Sequence, residues 1–120
     1  MQLIKSAKVK NKIKGNIGEE QACKYLTDKQ YEIIERNYKN KIGEIDIVAK
    51  KNNRIYFIEV KKRETARFGY PREAVTVQKQ QKIKLVAMVY LKQKRLNDAY
   101  FSFDVIEILG DNLTHIQNAF

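Results

Sequence analysis

Cysteine, proline, histidine and tryptophan are nearly missing from this chain, which has one each of the first three and none of the last in 120 residues. The lone Cys23 cannot close an internal disulfide, and it fits no zinc-ligand spacing, so a reducing compartment, the cytoplasm, is expected. The lone Pro71, with no repeat or low-complexity stretch, leaves no candidate linker, and this length can bury a core without staples. The lone His115 argues against nucleases built on paired histidines and reads as part of a structural C-terminal segment. No apolar run is long enough for a signal-peptide core or a bilayer span, so an unexported protein without a membrane partner is expected.

Acid is scarce where base is dense. Residues 1–14 hold five lysines and no acid, and residues 74–97 hold Lys79, Lys82, Lys84, Lys92, Lys94 and Arg95 with none; against a net charge of +10, the rest is nearly neutral. Charge gathered in this way suits a polyanion, because each phosphate neutralised releases condensed counterions. Ordinary solubility charge is the alternative. The lysine-rich residues 1–14 read as a flexible basic arm ahead of a single domain over 15–120.

Between residues 16 and 29, Glu19, Ala22, Cys23 and Leu26 fall on one helical stripe with Tyr25 beside it, and Glu19 borders the buried face. Residues 31–37 have strand composition. Residues 42–49, IGEIDIVA, alternate, with Ile45, Ile47 and Ala49 on one face and Glu44, Asp46 and Val48 on the other. Residues 51–53 read as a hairpin turn. In RIYFIEVKKR, alternation puts Tyr56, Ile58 and Val60 on one face, and Ile55, Phe57, Glu59 and Lys61 on the other. Residues 64–72 read as a loop, and residues 76–94 as a long helix with Thr76 as N-cap. Residues 99–109 form a fourth strand, with THIQNAF as a possible short last one. This order predicts an α/β sheet flanked by helices.

Three carboxylates and a lysine interrupt the two central strands. An antiparallel hairpin would bring Asp46 near Glu59, more closely still with a bulge or bend. Carboxylates so placed raise each other's pKa unless a cation lies between them, and a hard ion such as Mg²⁺ or Mn²⁺ takes oxygen ligands. Lys61, on the face of Glu59, could stabilise a developing phosphorane charge or help deprotonate a water. Those are the parts of a phosphodiester hydrolysis site. A solvated sheet face with cross-strand ion pairs is the other reading.

Asp46…Glu59-Val60-Lys61 resembles the PD-(D/E)xK core of restriction-endonuclease-like nucleases, with Ile45 where the proline of that pattern would stand. Lys14-Gly15-x-x-x-Glu19 resembles the first helix of archaeal Holliday-junction resolvases. More closely, the chain resembles the YraN-like family of small bacterial endonuclease-like proteins. The matching motifs are Gly15-x-x-Gly18-Glu19, Gly43-Glu44-Ile45-Asp46, Phe57-Ile58-Glu59-Val60-Lys61-x-Arg63, Phe68-Gly69-x-Pro71-x-Glu73-Ala74-Val75 and Asn118-Ala119-Phe120. The resemblance implies a restriction-endonuclease-like domain with a mixed central sheet of four to five strands. It implies Glu19, Asp46, Glu59 and Lys61 as catalytic residues, and the Val60 carbonyl as a further metal ligand beside Asp46, Glu59 and Glu19. The implied activity is that of a metal-dependent endonuclease on branched or structured DNA; a nucleic-acid-binding module without catalysis is the alternative.

Glu44 could reach a second metal, a water or an arginine, or serve in a structural salt bridge. Arg63 could hold a phosphate bidentately or stand as surface charge. Gln78 and Lys79 could approach the scissile strand or supply polarity at the helix start. Tyr70 could stack on an unpaired base or pack in its loop. A homodimer would suit a symmetric junction.

Overall fold

The computed structural model describes residues 7–64 and 75–120, with residues 7–16 as backbone alone. In chain order the elements are α1 (Ala7–Asp28), β1 (Glu32–Lys39), β2 (Glu44–Lys51), β3 (Arg54–Arg63), α2 (Val77–Gln93), β4 (Tyr100–Leu109) and β5 (Asn112–Ile116). The strands lie side by side in that order in one five-stranded sheet. All neighbours are antiparallel except β3 and β4, which run parallel because α2 carries the chain back between them. The result is a small α/β single domain with a mixed sheet and two helices, compatible with the restriction-endonuclease-like fold.

One helix covers each face. On α2, Ile83, Val86, Ala87, Tyr90 and Leu91 recur at helical spacing and pack on Val48, Phe57 and Phe103. On α1, Ala22 and Leu26 pack on Ile47, Ile58 and Ile106. The Thr76 side chain accepts a bond from Lys79 N–H at 3.1 Å, the N-cap that starts α2 at Val77.

Four expectations change in detail. The first helix begins at Ala7, not at residue 16, and takes in residues 7–14 of the segment read as an arm. Lysine is a good helix former, and no proline interrupts that run. Residues 1–6 lie outside the described residues, as do residues 65–74, which include Tyr70, Pro71 and most of the segment 64–72 read as a loop.

The hairpin turn has two residues, not three. Lys51 pairs with Arg54, and Asn52 and Asn53 take φ of 50° and 65°. Positive φ at both central positions is the tight hairpin geometry that asparagine tolerates. Alternation also breaks within β2: Ile47 and Ala49 face α1, whereas Ile45 joins Val48 on the α2 side. The ladder to β3 ends at the Ile47–Ile58 pair, and Asp46 bonds across the gap with its side chain, so the strand turns over there. Finally, β5 occupies Asn112–Ile116 after a tight turn at Gly110 (φ 60°). The chain end folds back, with Ala119 N–H donating to Phe103 O at 2.7 Å and the Phe120 ring stacked on Phe103.

No helix among the described residues is long and apolar enough to cross a membrane.

Candidate active site

β2 and β3 pair from their turn to Ile47 and Ile58 and then part. Continuing that register sets Asp46 against Glu59 with no bulge in either strand. Asp46 bridges the fork, its Oδ2 accepting from Val60 N–H at 2.8 Å. Glu59 is buried, with 6% of its surface exposed, and points to the α2 side as alternation from Phe57 requires. Lys61, two residues on, brings its Nζ to 3.8 Å from Glu59 Oε2.

Lys79 comes from α2. Counting from the Thr76 cap it is the third helical residue, and helical side chains lean toward the N-terminus, here toward the fork. Its Nζ lies 2.6 Å from the same Glu59 Oε2. From the other side, Gly18 lets α1 come close to β3: a Cβ there would meet Lys62 Cβ at 3.3 Å. That approach puts Glu19 on the wall of an open cleft of about 480 Å³, which Asp46, Glu59, Val60, Lys61, Arg63 and Lys79 also line.

Positive charge is shared unevenly between the two carboxylates, with both lysines on Glu59 and none paired with Asp46 among the described residues. Burial, then the charge of Glu59, pushes the Asp46 carboxyl up to about 8, and the Val60 N–H offsets only part of this. The Lys61 ammonium is lowered from its usual value, by burial first and then by the Lys79 ammonium beside it. Burial would lower Lys79 too, but the hydrogen bond and charge of Glu59 outweigh it and the net shift is upward.

The other residues picked out in the sequence fall in different places. Glu19 lines the cleft, and its charge is felt at Asp46, yet its Oε1 accepts from Asn37 Nδ2 at 3.0 Å and lies 3.8 Å from Arg36 Nη2. Among the described residues no three of His, Cys, Asp and Glu come together as a metal cluster. The donors at the fork are therefore two carboxylates. That set fits a hard divalent ion, since Mg²⁺ is commonly held by one or two carboxylates with waters and substrate phosphates completing its shell. Glu44 opens instead onto an adjoining hollow of about 250 Å³, shared with Asp46, Glu59, Lys79 and Lys82. Gln78 is exposed and lines neither space. Cys23 packs beside the α1-side core, and burial raises its thiol pKa, the opposite of an activated nucleophile.

Three residues near the site were not singled out in the sequence. Asn37 and Arg36 on β1 hold Glu19, and a positive φ of 53° at Asn37 marks the break in strand conformation that aims its side chain. Buried Glu107 on β4 pairs with Lys61 in the parallel ladder. An acid inside the apolar run VIEIL was a usable signal, the same kind that Asp46 gives inside IDIVA.

The chain matches the sequence model of a family described as "Uncharacterised protein family UPF0102" over residues 18–108. It is 48% identical over 112 residues to a UPF0102 protein of Clostridioides difficile, covering 92% of this chain and 98% of that one. A UPF0102 protein of Fusobacterium nucleatum is 47% identical over 104 residues, 87% of each chain. One from Caldanaerobacter subterraneus is 43% identical over 120 residues, 94% of this chain and 98% of the relative.

Proposed function

The chain belongs to the UPF0102 family, the YraN-like family that its motifs resemble, and we propose that it is a cytoplasmic, metal-dependent endonuclease acting on branched or otherwise structured DNA. The observation that carries the proposal is the fork itself: Asp46 and Glu59 side by side, with Lys61 Nζ 3.8 Å from Glu59, in one open cleft. Asp46 and Glu59 would hold Mg²⁺ or Mn²⁺, with Val60 and Glu19 flanking them. Such an ion supplies Lewis-acid activation of water and of the phosphoryl oxygens.

The chain's own groups do the rest. In hydrolysis a water oxygen bonds to phosphorus, the ester P–O bond breaks, the water gives up a proton and the leaving oxygen gains one. The charged form of Lys61 can hold a phosphoryl oxygen as negative charge builds there. Its neutral form, made more accessible by the lowered pKa, can take the proton of the water. Arg63 and Lys79 line the cleft where they can position backbone phosphates, and the lysines of α2 extend that grip without reading sequence. A homodimer would present two such clefts to a symmetric junction.

A second reading, a binding module without catalysis, draws on the Lys79–Glu59 ion pair and on the lack of a third acid at the fork among the described residues. Cleavage of labelled linear, flap and four-way-junction DNA with Mg²⁺, Mn²⁺ or EDTA separates the two. Metal-dependent products lost in folded Asp46→Ala and Lys61→Ala proteins are expected. Salt-sensitive binding without products, unchanged by either substitution, would leave the binding module.

A further inference from the structure

We propose that Lys79 is an exchangeable stand-in for the metal: its ammonium holds Glu59 until a divalent ion enters, and that entry releases it to the phosphate backbone of the nucleic acid. The proposal rests on the nuclease reading and adds to it a coupling between the two ligands.

Three observations support the exchange. First, the cation is distributed unevenly. Glu59 Oε2 has Lys79 Nζ at 2.6 Å and Lys61 Nζ at 3.8 Å, while the neighbouring Asp46 side chain is bonded to the Val60 N–H and to Glu59 itself and forms no ion pair with an ammonium among the described residues. An ion between the two carboxylates would serve both at once, which an ammonium held on one oxygen of Glu59 does not.

Second, the partners differ in freedom. Glu59 is buried on a central strand, whereas the Lys79 side chain is 43% exposed on a flexible four-carbon stem at the first turn of α2. A divalent charge arriving at the fork repels that ammonium, and the side free to move is the lysine.

Third, there is room for it. Lys79 lines both the 480 Å³ cleft and the 250 Å³ hollow that meet at Asp46 and Glu59, so it stands between two open spaces. Swung away from Glu59, it remains on the side where a strand would enter.

If metal frees Lys79 for phosphate, metal tightens nucleic-acid binding and nucleic acid tightens metal binding by the same factor. The first test needs no cleavage. Mn²⁺ binding to the full chain, without DNA, is measured by electron paramagnetic resonance for the native protein and for Lys79→Gln, Lys79→Arg and Lys84→Gln. Removing the competitor should tighten Mn²⁺ binding roughly threefold to fivefold in Lys79→Gln, the upper end of the scale for losing a partly exposed ion pair. Lys79→Arg, which keeps the charge, should stay at or below native affinity. Lys84→Gln makes the same charge change at a lysine that lines neither space, and should stay within about twofold.

The second test is the Mn²⁺-dependent gain in affinity for a four-way junction carrying uncleavable phosphate analogues, which should shrink in Lys79→Gln. Unchanged or weaker Mn²⁺ binding in Lys79→Gln, with binding still abolished by Glu59→Gln, would overturn the exchange and leave the nuclease reading standing. If neither the native protein nor Lys79→Gln binds Mn²⁺, both fall together.

Discussion

Asp46 and Asp104 are both aspartates set into strands of one sheet, and their surroundings could hardly differ more. Asp104 is fully buried and fully answered: Ser102 Oγ and Asn118 N–H each donate to its Oδ1 at 3.1 Å, and His115 Nε2 lies 2.7 Å from Oδ2. The other ring nitrogen of His115, Nδ1, is hydrogen-bonded to the Tyr25 hydroxyl at 3.1 Å. The network closes on itself beneath α1 and β5. Asp46 has the Val60 N–H, a second acid for a neighbour, and a cleft in front of it. Burial of an acid in a strand is thus no mark of function by itself; what separates the two is whether the protein supplies all the partners or leaves room for one from outside.

The largest expected effect is on cleavage. Asp46→Asn or Glu59→Gln should lower the metal-dependent rate by about a thousandfold, the scale of losing a main electrostatic stabiliser. Asp104→Asn, assayed at a temperature where it is folded, should stay within a few-fold of native; equal losses at the two sites would erase the contrast.

Stability should reverse the order. Asp104→Ala leaves His115, Ser102 and the Asn118 N–H without their acceptor and should cost about 3 kcal/mol in urea unfolding. Asp46→Asn in EDTA should cost less than about 0.5 kcal/mol or stabilise the fold, because it removes a carboxyl whose charged form the burial and the neighbouring Glu59 disfavour. A larger loss at Asp46 would mean that its bond to Val60 N–H matters more than its repulsion from Glu59.

A smaller effect lies in the pH dependence. The folded carboxyl of Asp46 titrates near 8, above its unfolded value of about 4, so the folded state holds that proton more tightly. Its contribution in EDTA therefore turns unfavourable as pH rises from about 4 and levels off above about 8. Urea midpoints between pH 5 and pH 8 should fall less steeply in Asp46→Asn than in the native protein; parallel slopes would contradict the assignment. Smallest of all, Lys82→Gln and Lys92→Gln should each reduce the slope of log binding constant against log salt by about 1 for every DNA tested, without changing which structure is preferred.

Much of the fold was legible because its signals are local. Alternation in residues 54–63 places Glu59 and Lys61 on the face of Phe57, and the structure keeps them there. Thr76 before a helical stripe marks the start of α2. The reading failed where one local rule met another. The start of the first helix is one such place: lysine is a good helix former, so the lysine-rich run gives no boundary near residue 16, and α1 begins at Ala7. Alternation was carried through Asp46, where the ladder ends and the strand turns over. Of the site, Asp46, Glu59 and Lys61 were legible as acids and a base in otherwise apolar strands, whereas Asn37, Arg36 and Glu107 carry weaker signals on strands that the motif does not include.

The sequence by itself determined the hairpin and the polar groups at its end, because a two-residue turn and a period of two set register over short distances. Only the tertiary structure decided which lysine reaches Glu59. Six basic residues lie between positions 74 and 97, and their spacing favours none of them. Lys79 reaches the fork because Val86 and Tyr90 seat α2 on Phe57, fixing the height and rotation of its first turn above β3. That placement is set by packing between residues far apart in the chain, a quantity no local pattern encodes.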